Sequence, residues 1–353
     1  MRIGIITQPL SANYGGILQN YALQQVLLRL GHSPVTMDLV PDKHLGDRIK
    51  HLIWSCLHFK KPNKWFFLYG RSGVAQRFIH KNIATTPIVQ KYRAGMVKLY
   101  RFHALIAGSD QIWRPKYNAY LEDMFFRFAE KLPVKKIVYG ASFGTDEWEY
   151  SPQMTEDCRV LVRRIAAVSV REKSGIALCR NHFGIEAQWV LDPTLLLDAT
   201  DYEQLCASVP RSEQAFLAAY LLDVDDHLTA EIEKIGKALN WPIRLFSSSQ
   251  DASLTVEEWL AMFRDAKYVI TDSFHGTVFS IIFNKPFVAV GNRSRGMSRF
   301  LSLLEQFGLE DRLSPEISAE ILLRPIPWNE IISRKKQLKD SSIYFLKSNL
   351  HRT

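Results

Sequence analysis

The chain is predicted to be an α/β protein of two Rossmann-like domains. Three observations predict it: an opening β-loop-α-β unit, a second run of alternating strands and helices after residue 200, and a length of 353 residues, more than one ordinary core accommodates. Hydrophobic residues make up 47% of the chain and charged ones 23%, which excludes a disordered protein.

The opening unit is a short apolar strand at Ile3–Thr7, a turn-rich loop from Pro9 to Gly16, a helix from Ile17 to Leu30, and a strand over Val35–Asp38. Such units form parallel sheets whose ligands sit at the strand C-termini. Further strands are expected at Ala104–Ala107, Lys136–Tyr139, Ala167–Val170 and Gln188–Leu191, with helices near Thr155–Arg164 and Arg171–Asn181. The second set comprises strands at Ala215–Leu221, Ile243–Phe246, Tyr268–Thr271 and Phe287–Val290. Its helices lie near His227–Leu239 and Thr255–Ala266, with a third starting at Gly276. The expected domains are 1–200 and 201–328, followed by a helix over 329–353 that returns towards the first domain.

A basic aromatic insertion occupies about 48–103. From Arg48 through Ser109 there are twelve Lys/Arg and no Asp or Glu, interleaved with Trp54, Phe59, Trp65, Phe66, Phe67 and Tyr69. It reads either as a solvated basic helical insertion or as a surface for anionic lipid or a lipid pyrophosphate. No nucleic-acid module accompanies the charge. The net charge of +9 favours acidic partners. The four cysteines have neither zinc-finger nor CxxC spacing, and no metal ligand set is apparent. With no signal-peptide pattern and no long uncharged apolar run, the chain is expected to be cytoplasmic.

Chemistry concentrates at the strand ends. Asn13-Tyr14-Gly15-Gly16 precedes the first helix, where backbone amides can meet an anion or an acceptor. In Gly108-Ser109-Asp110-Gln111-Ile112-Trp113, Asp110 reads as a helix N-cap or as a group orienting an acceptor hydroxyl. In Ser169-Val170-Arg171-Glu172, Arg171 reads as a bidentate anion ligand or as a salt-bridge partner. In Thr271-Asp272-Ser273-Phe274-His275-Gly276, His275 lies after a strand among small hydroxyl residues, a place for an acid/base or phosphate ligand. Arg293, Arg295 and Arg299 crowd a loop after the next strand, as a phosphate or carboxylate clamp would.

These blocks, in this order over roughly residues 1–310, resemble the polysaccharide pyruvyltransferase family. The resemblance implies a GT-B-like fold of two domains facing a cleft, no metal, and no cofactor beyond phosphoenolpyruvate as donor substrate. It implies a pyruvate ketal on a hexose, with galactose as the candidate sugar, of a cell-surface glycan or its lipid-linked precursor. The family's donor-binding arginine maps onto Arg171 and its histidine onto His275, with Ser273 and Gly276 beside it. The family's further lysine has no clear counterpart, so Arg295 or Arg299 is expected in its place, with Lys285 as the other candidate. Asn13, Tyr14, Gly15 and Gln111 fall on the acceptor side, with Asp110 activating the hydroxyl. Two other readings fit the same fold: a nucleotide-sugar glycosyltransferase, and a non-catalytic glycan- or lipid-binding relative.

Overall fold

The computed structural model describes residues 1–11, 13–40, 73–224, 226–247, 254–291 and 296–351. Trp54, Phe59, Trp65, Phe66, Phe67 and Tyr69 of the basic insertion, and Arg293 and Arg295, lie outside them.

Two parallel sheets organise the described residues. The first has the order β2-β1-β3-β4-β5-β6, made of β1 (Arg2–Ile6), β2 (Ser33–Thr36), β3 (Ala104–Asp110), β4 (Lys135–Ala141), β5 (Ala167–Val170) and β6 (Gln188–Trp189). The second runs β11-β10-β9-β7-β8, from β7 (Leu217–Tyr220), β8 (Ile243–Phe246), β9 (Tyr268–Thr271), β10 (Phe287–Val290) and β11 (Leu313–Ser314). Each sheet therefore reverses its winding once, between β1 and β3 and between β7 and β9. Ligand crevices open at such reversals, beyond the strand C-termini. The strands are apolar runs because both faces are covered; all four residues of β7 and of β10 are buried.

A helix crosses each reversal point. Helix α1 (Tyr14–Arg29) starts at Asn13, whose Oδ1 accepts from the Gly16 amide at 3.2 Å. It is buried on more than its apolar face: Gln19 donates to Thr7 Oγ1, and Gln24 donates to Thr36 Oγ1 and the Ala84 carbonyl. These bonds satisfy polar groups that would otherwise cost about 1–3 kcal/mol each. Helix α2 (Gly73–Asn82) lies beside α1, with Tyr21 and Phe78 in edge contact. A second insertion helix, α3 (Ala94–Leu99), follows. In chain order come α4 (Pro152–Val162), α5 (Lys173–Leu178), α6 (Ala199–Leu205), α7 (Asp226–Leu239) and α8 (Val256–Asp265).

Helix α9 (Phe274–Ile282) follows β9, and every one of its residues is buried. It begins two residues earlier than the expected start at Gly276, because the Ser273 hydroxyl caps the turn by accepting from the Gly276 amide at 3.3 Å. His275 thus sits in the first helical turn. Gly276 is required there: a Cβ would lie 2.2 Å from Thr271 Oγ1.

Two further expectations are corrected. Asp110 does not cap a helix; it ends β3 with φ of 72°, still paired to Ala141 of β4. Arg299 lies not in a loop but in helix α10 (Met297–Phe307), which starts after Gly296 at φ 91°. A Cβ at Gly296 would lie 1.8 Å from the Gly144 carbonyl oxygen, so this turn presses on the loop after β4. Helices α2 and α3 give the described part of the insertion the helical form of its solvated reading, whereas helices α6, α10 and α11 (Ala319–Leu323), and strand β11, were not anticipated. The last helix, α12 (Trp328–Asn349), packs Phe345 against Tyr139 of β4, and its Ser342 Oγ accepts from the Leu191 amide at 3.0 Å.

Candidate functional site

The C-terminal ends of β3, β5 and β6 deliver Asp110, Arg171 and Asp192 to one buried cluster, and the first turn of α9 adds His275 from the second sheet. Arg171 Nη1 donates to Asp192 Oδ2 at 2.6 Å and Nη2 to Asp110 Oδ1 at 3.0 Å. Its Nε lies 3.8 Å from Glu172 Oε1 and has no hydrogen-bond partner. The salt-bridge reading of Arg171 thus describes both of its terminal nitrogens, while one edge of the guanidinium is not committed. Its plane lies over the Phe274 ring, 4.5 Å from the centroid, and Arg299 lies over the same ring at 5.6 Å. One aromatic ring therefore has two guanidinium groups packed against it.

Charge balance follows from this packing. Burial pushes the Asp110 carboxyl up, but Arg171, His275 and Arg299 outweigh burial and hold it below the usual range. Asp192 is lowered in the same way, against burial, by Arg171, His275 and hydrogen bonds from Thr194. Glu172 goes the other way: burial raises it in spite of Arg171 and the hydrogen bond it accepts from the Ser142 hydroxyl. Burial, then the neighbouring Arg171, pushes Arg299 down to about 10, so it keeps its charge at neutral pH. Burial also lowers His275, with Asp192 and Asp110 opposing, which favours the neutral imidazole. Its Nε2 has no hydrogen-bond partner and stands 4.0 Å from Asp192 Oδ2.

The other expected residues divide into two groups. Gly15 belongs to the cluster: a Cβ there would meet His275 Nδ1 at 2.1 Å, so the α1 backbone lies directly on the imidazole. Next to it, a Cβ on Gly16 would lie 3.5 Å from Asp110 Oδ2. Ser273 is buried as the cap of α9. Tyr14 and Gln111 are engaged elsewhere. The Tyr14 hydroxyl donates to the Leu254 carbonyl at 2.5 Å, and Gln111 Oε1 accepts from Arg114 at 3.1 Å. Lys285 is half-buried at the far end of α9, near Asp265 and Arg211. Asp272 of the histidine block clamps the loop after β7, accepting from the Leu222 and Asp223 amides.

Sequence reasoning missed Asp192, Glu172 and Phe274 as members of the site. For Asp192 a signal existed. Leu191-Asp192-Pro193-Thr194 has an acid before a proline at a strand end, and Asp192 does cap the 3₁₀ turn Pro193–Leu196.

Two parallel α/β sheets, with charged groups carried on both brought into one buried site, define a protein of GT-B-like fold. A family model for polysaccharide pyruvyl transferases matches residues 13–294, and the chain belongs to that family. It is accordingly an enzyme of polysaccharide biosynthesis. No curated protein matches the chain by sequence. Among solved structures it is similar in fold to UDP-GlcNAc 2-epimerase from Neisseria meningitidis (TM-score 0.51, 9% identity, 100% of this chain and 95% of that one). The enzyme of the same name from Methanocaldococcus jannaschii gives 0.51 at 11% identity, over 95% and 92%. UDP-N-acetylglucosamine 2-epimerase from Rickettsia bellii gives 0.50 at 8%, over 99% and 96%.

Proposed function

We propose that the enzyme transfers the pyruvate unit of phosphoenolpyruvate to two hydroxyls of one hexose, galactose being our choice, releasing phosphate and leaving a cyclic ketal. The observation that carries this reading is the pair of guanidinium groups, Arg171 and Arg299, held over Phe274 beside His275. A donor with both a carboxylate and a phosphate needs two cations at short range, in a place where little water screens them.

The reaction balances as follows. C3 of the donor takes a proton and C2 becomes oxocarbenium-like. The first hydroxyl adds to C2, phosphate departs, and the second hydroxyl closes the ketal. Of the two hydroxyl protons released, one replaces the proton taken up at C3 and the other leaves as part of hydrogen phosphate. His275 is the proton carrier in this reading. Asp110, held ionised by its cationic neighbours, orients an acceptor hydroxyl. Arg171 and Arg299 stabilise charge on the departing phosphate.

We further propose that the acceptor is a lipid-linked repeat unit of an exported polysaccharide such as a capsule or exopolysaccharide, met by a cytoplasmic enzyme at the inner face of the membrane. The acid-free stretch from Arg48 to Ser109 motivates this, and within its described part Lys81, Lys91, Arg93, Lys98 and Arg101 are all exposed. No helix among the described residues is long and apolar enough to cross a membrane. Co-sedimentation with vesicles containing anionic lipid tests the surface, and turnover on lipid-linked against free galactosides tests the acceptor. Equal turnover on both, with no sedimentation, removes the lipid part of the proposal. Turnover with a nucleotide sugar in place of phosphoenolpyruvate removes the donor.

A further inference from the structure

Asp192 lies in neither of the blocks first read as donor or acceptor contacts, yet it has the fullest set of partners in the site. Its Oδ1 accepts from the Thr194 amide at 3.0 Å and the Thr194 hydroxyl at 2.6 Å. Its Oδ2 accepts from the Ser109 hydroxyl at 3.2 Å and from Arg171 Nη1 at 2.6 Å. The residue is 2% exposed. Four donors fix this carboxylate in position and in rotation, two of them from its own turn and two from other strand ends.

The same Oδ2 faces His275 Nε2 at 4.0 Å, across the boundary between the sheets. That nitrogen has no hydrogen-bond partner although the ring is buried. Two buried polar groups therefore stand just beyond hydrogen-bond range, and one of them cannot move. Gly15 closes the other side of the ring, so the imidazole is held between the α1 backbone and the carboxylate. The charged groups that face His275 are Asp192 and Asp110 on one sign and Arg171 and Arg299 on the other.

We infer that Asp192 is the positioning residue of the site, a fixed anion that sets the orientation of the Arg171 guanidinium and the state of the His275 imidazole together. It contacts neither donor nor acceptor in this account; it acts through the two groups that do. The inference builds on the pyruvyl-transfer reading but has a readout independent of it.

The test uses the full-length protein. In Asp192→Asn the amide keeps the shape and loses the charge. The His275 imidazole, followed by NMR in protein with labelled histidine, should then titrate about one pH unit or more lower than in wild type, since the nearest anion has gone. With phosphoenolpyruvate and a galactoside, kcat should fall about 100-fold, with the pH limb assigned to His275 displaced in the same direction. Ser109→Ala should displace the titration upward, because Oδ2 loses a donor and interacts more strongly with the imidazolium. This second variant keeps the test valid if Asp192→Asn does not fold. Asp192→Glu, which restores charge at a shifted position, should recover part of the lost kcat. A merely structural carboxylate would lower stability and leave the titration in place in every folded variant, and that result overturns the inference. A displaced titration in a protein inactive with phosphoenolpyruvate upholds the positioning role and removes the donor assignment instead.

Discussion

The backbone of Gly15 and the imidazole of His275 lie in direct contact, so close that a Cβ on Gly15 would stand 2.1 Å from Nδ1 and 2.3 Å from Cγ. Gly15 lies in the first turn of the helix that follows β1, and His275 in the first turn of the helix that follows β9, so this one contact joins the reversal points of both sheets. The close approach is available only to glycine. Gly15→Ala must displace the ring or separate the sheets, at about 1–3 kcal/mol. The expected outcome is a folded protein with Tm lowered by several degrees and kcat reduced about 100-fold. Wild-type activity in this variant would show that the imidazole is not held by the contact.

Arg171 bridges Asp192 and Asp110, both buried, so its loss leaves two carboxylates without their cation. Arg171→Met is therefore expected to destabilise the protein by about 3–5 kcal/mol, read from denaturant unfolding. Arg171→Lys keeps the charge but cannot donate to both carboxylates in the same fork, and should recover only part of the stability and little of the activity.

Arg299 has a different balance. It shares Phe274 with Arg171 and is charged at a cost in burial, so its removal should affect donor binding more than folding. Arg299→Met should weaken phosphoenolpyruvate binding about 10- to 100-fold in calorimetry, the value of one charge-assisted contact. A larger fall in Tm than in affinity would assign Arg299 to structure instead.

Stability should decline on acidification. The folded His275 has a lowered pKa, so below about 6.5 the unfolded chain binds a proton that the folded chain resists, and stability falls as pH drops towards the folded value. Asp110 and Asp192 are also lowered, from 3.8, and their contribution is present above that value and lost as pH falls through their folded values. Glu172, raised from 4.5, works in the opposite direction: its share is full below that value and lost as pH rises through its folded one. Melting curves between pH 7.5 and pH 2.5 should therefore show a falling Tm, with a shallower slope near pH 6 in His275→Gln. An unchanged slope in that variant would contradict the buried, neutral imidazole.

The reaction as proposed uses no metal. Turnover should survive prior dialysis against excess EDTA, measured as phosphate release; a loss restored by a divalent cation would require a different donor site.

Much of the fold was legible because parallel strands covered on both faces are nearly continuous apolar runs. Tyr268-Val269-Ile270 and Phe287-Val288-Ala289-Val290 announce themselves in that way. Short elements were not legible. The two-residue β11 has no periodicity, and α10 follows from the φ of Gly296 and its pressure on Gly144, which are tertiary facts. In the site, Arg171 and His275 were visible from their places at strand ends. Their partners were not, because the pairing of Arg171 with Asp110 spans 61 residues and that of Ser109 with Asp192 spans 83. The helical reading of Asp110 failed for a local reason: its left-handed backbone keeps it in register with β4 and turns the chain without starting a helix. The edge contact of Tyr14 with Trp259 at 6.2 Å, 245 residues away in the chain, was not legible in the sequence either.

The central claim is tested most directly by incubating the purified enzyme with phosphoenolpyruvate and a panel of lipid-linked and aryl galactosides, following phosphate release and product mass together. The account predicts one phosphate released per product, a mass gain equal to pyruvate less one water, and loss of both signals in His275→Ala. A product gaining a sugar from a nucleotide-sugar donor, with no response to phosphoenolpyruvate, would contradict it.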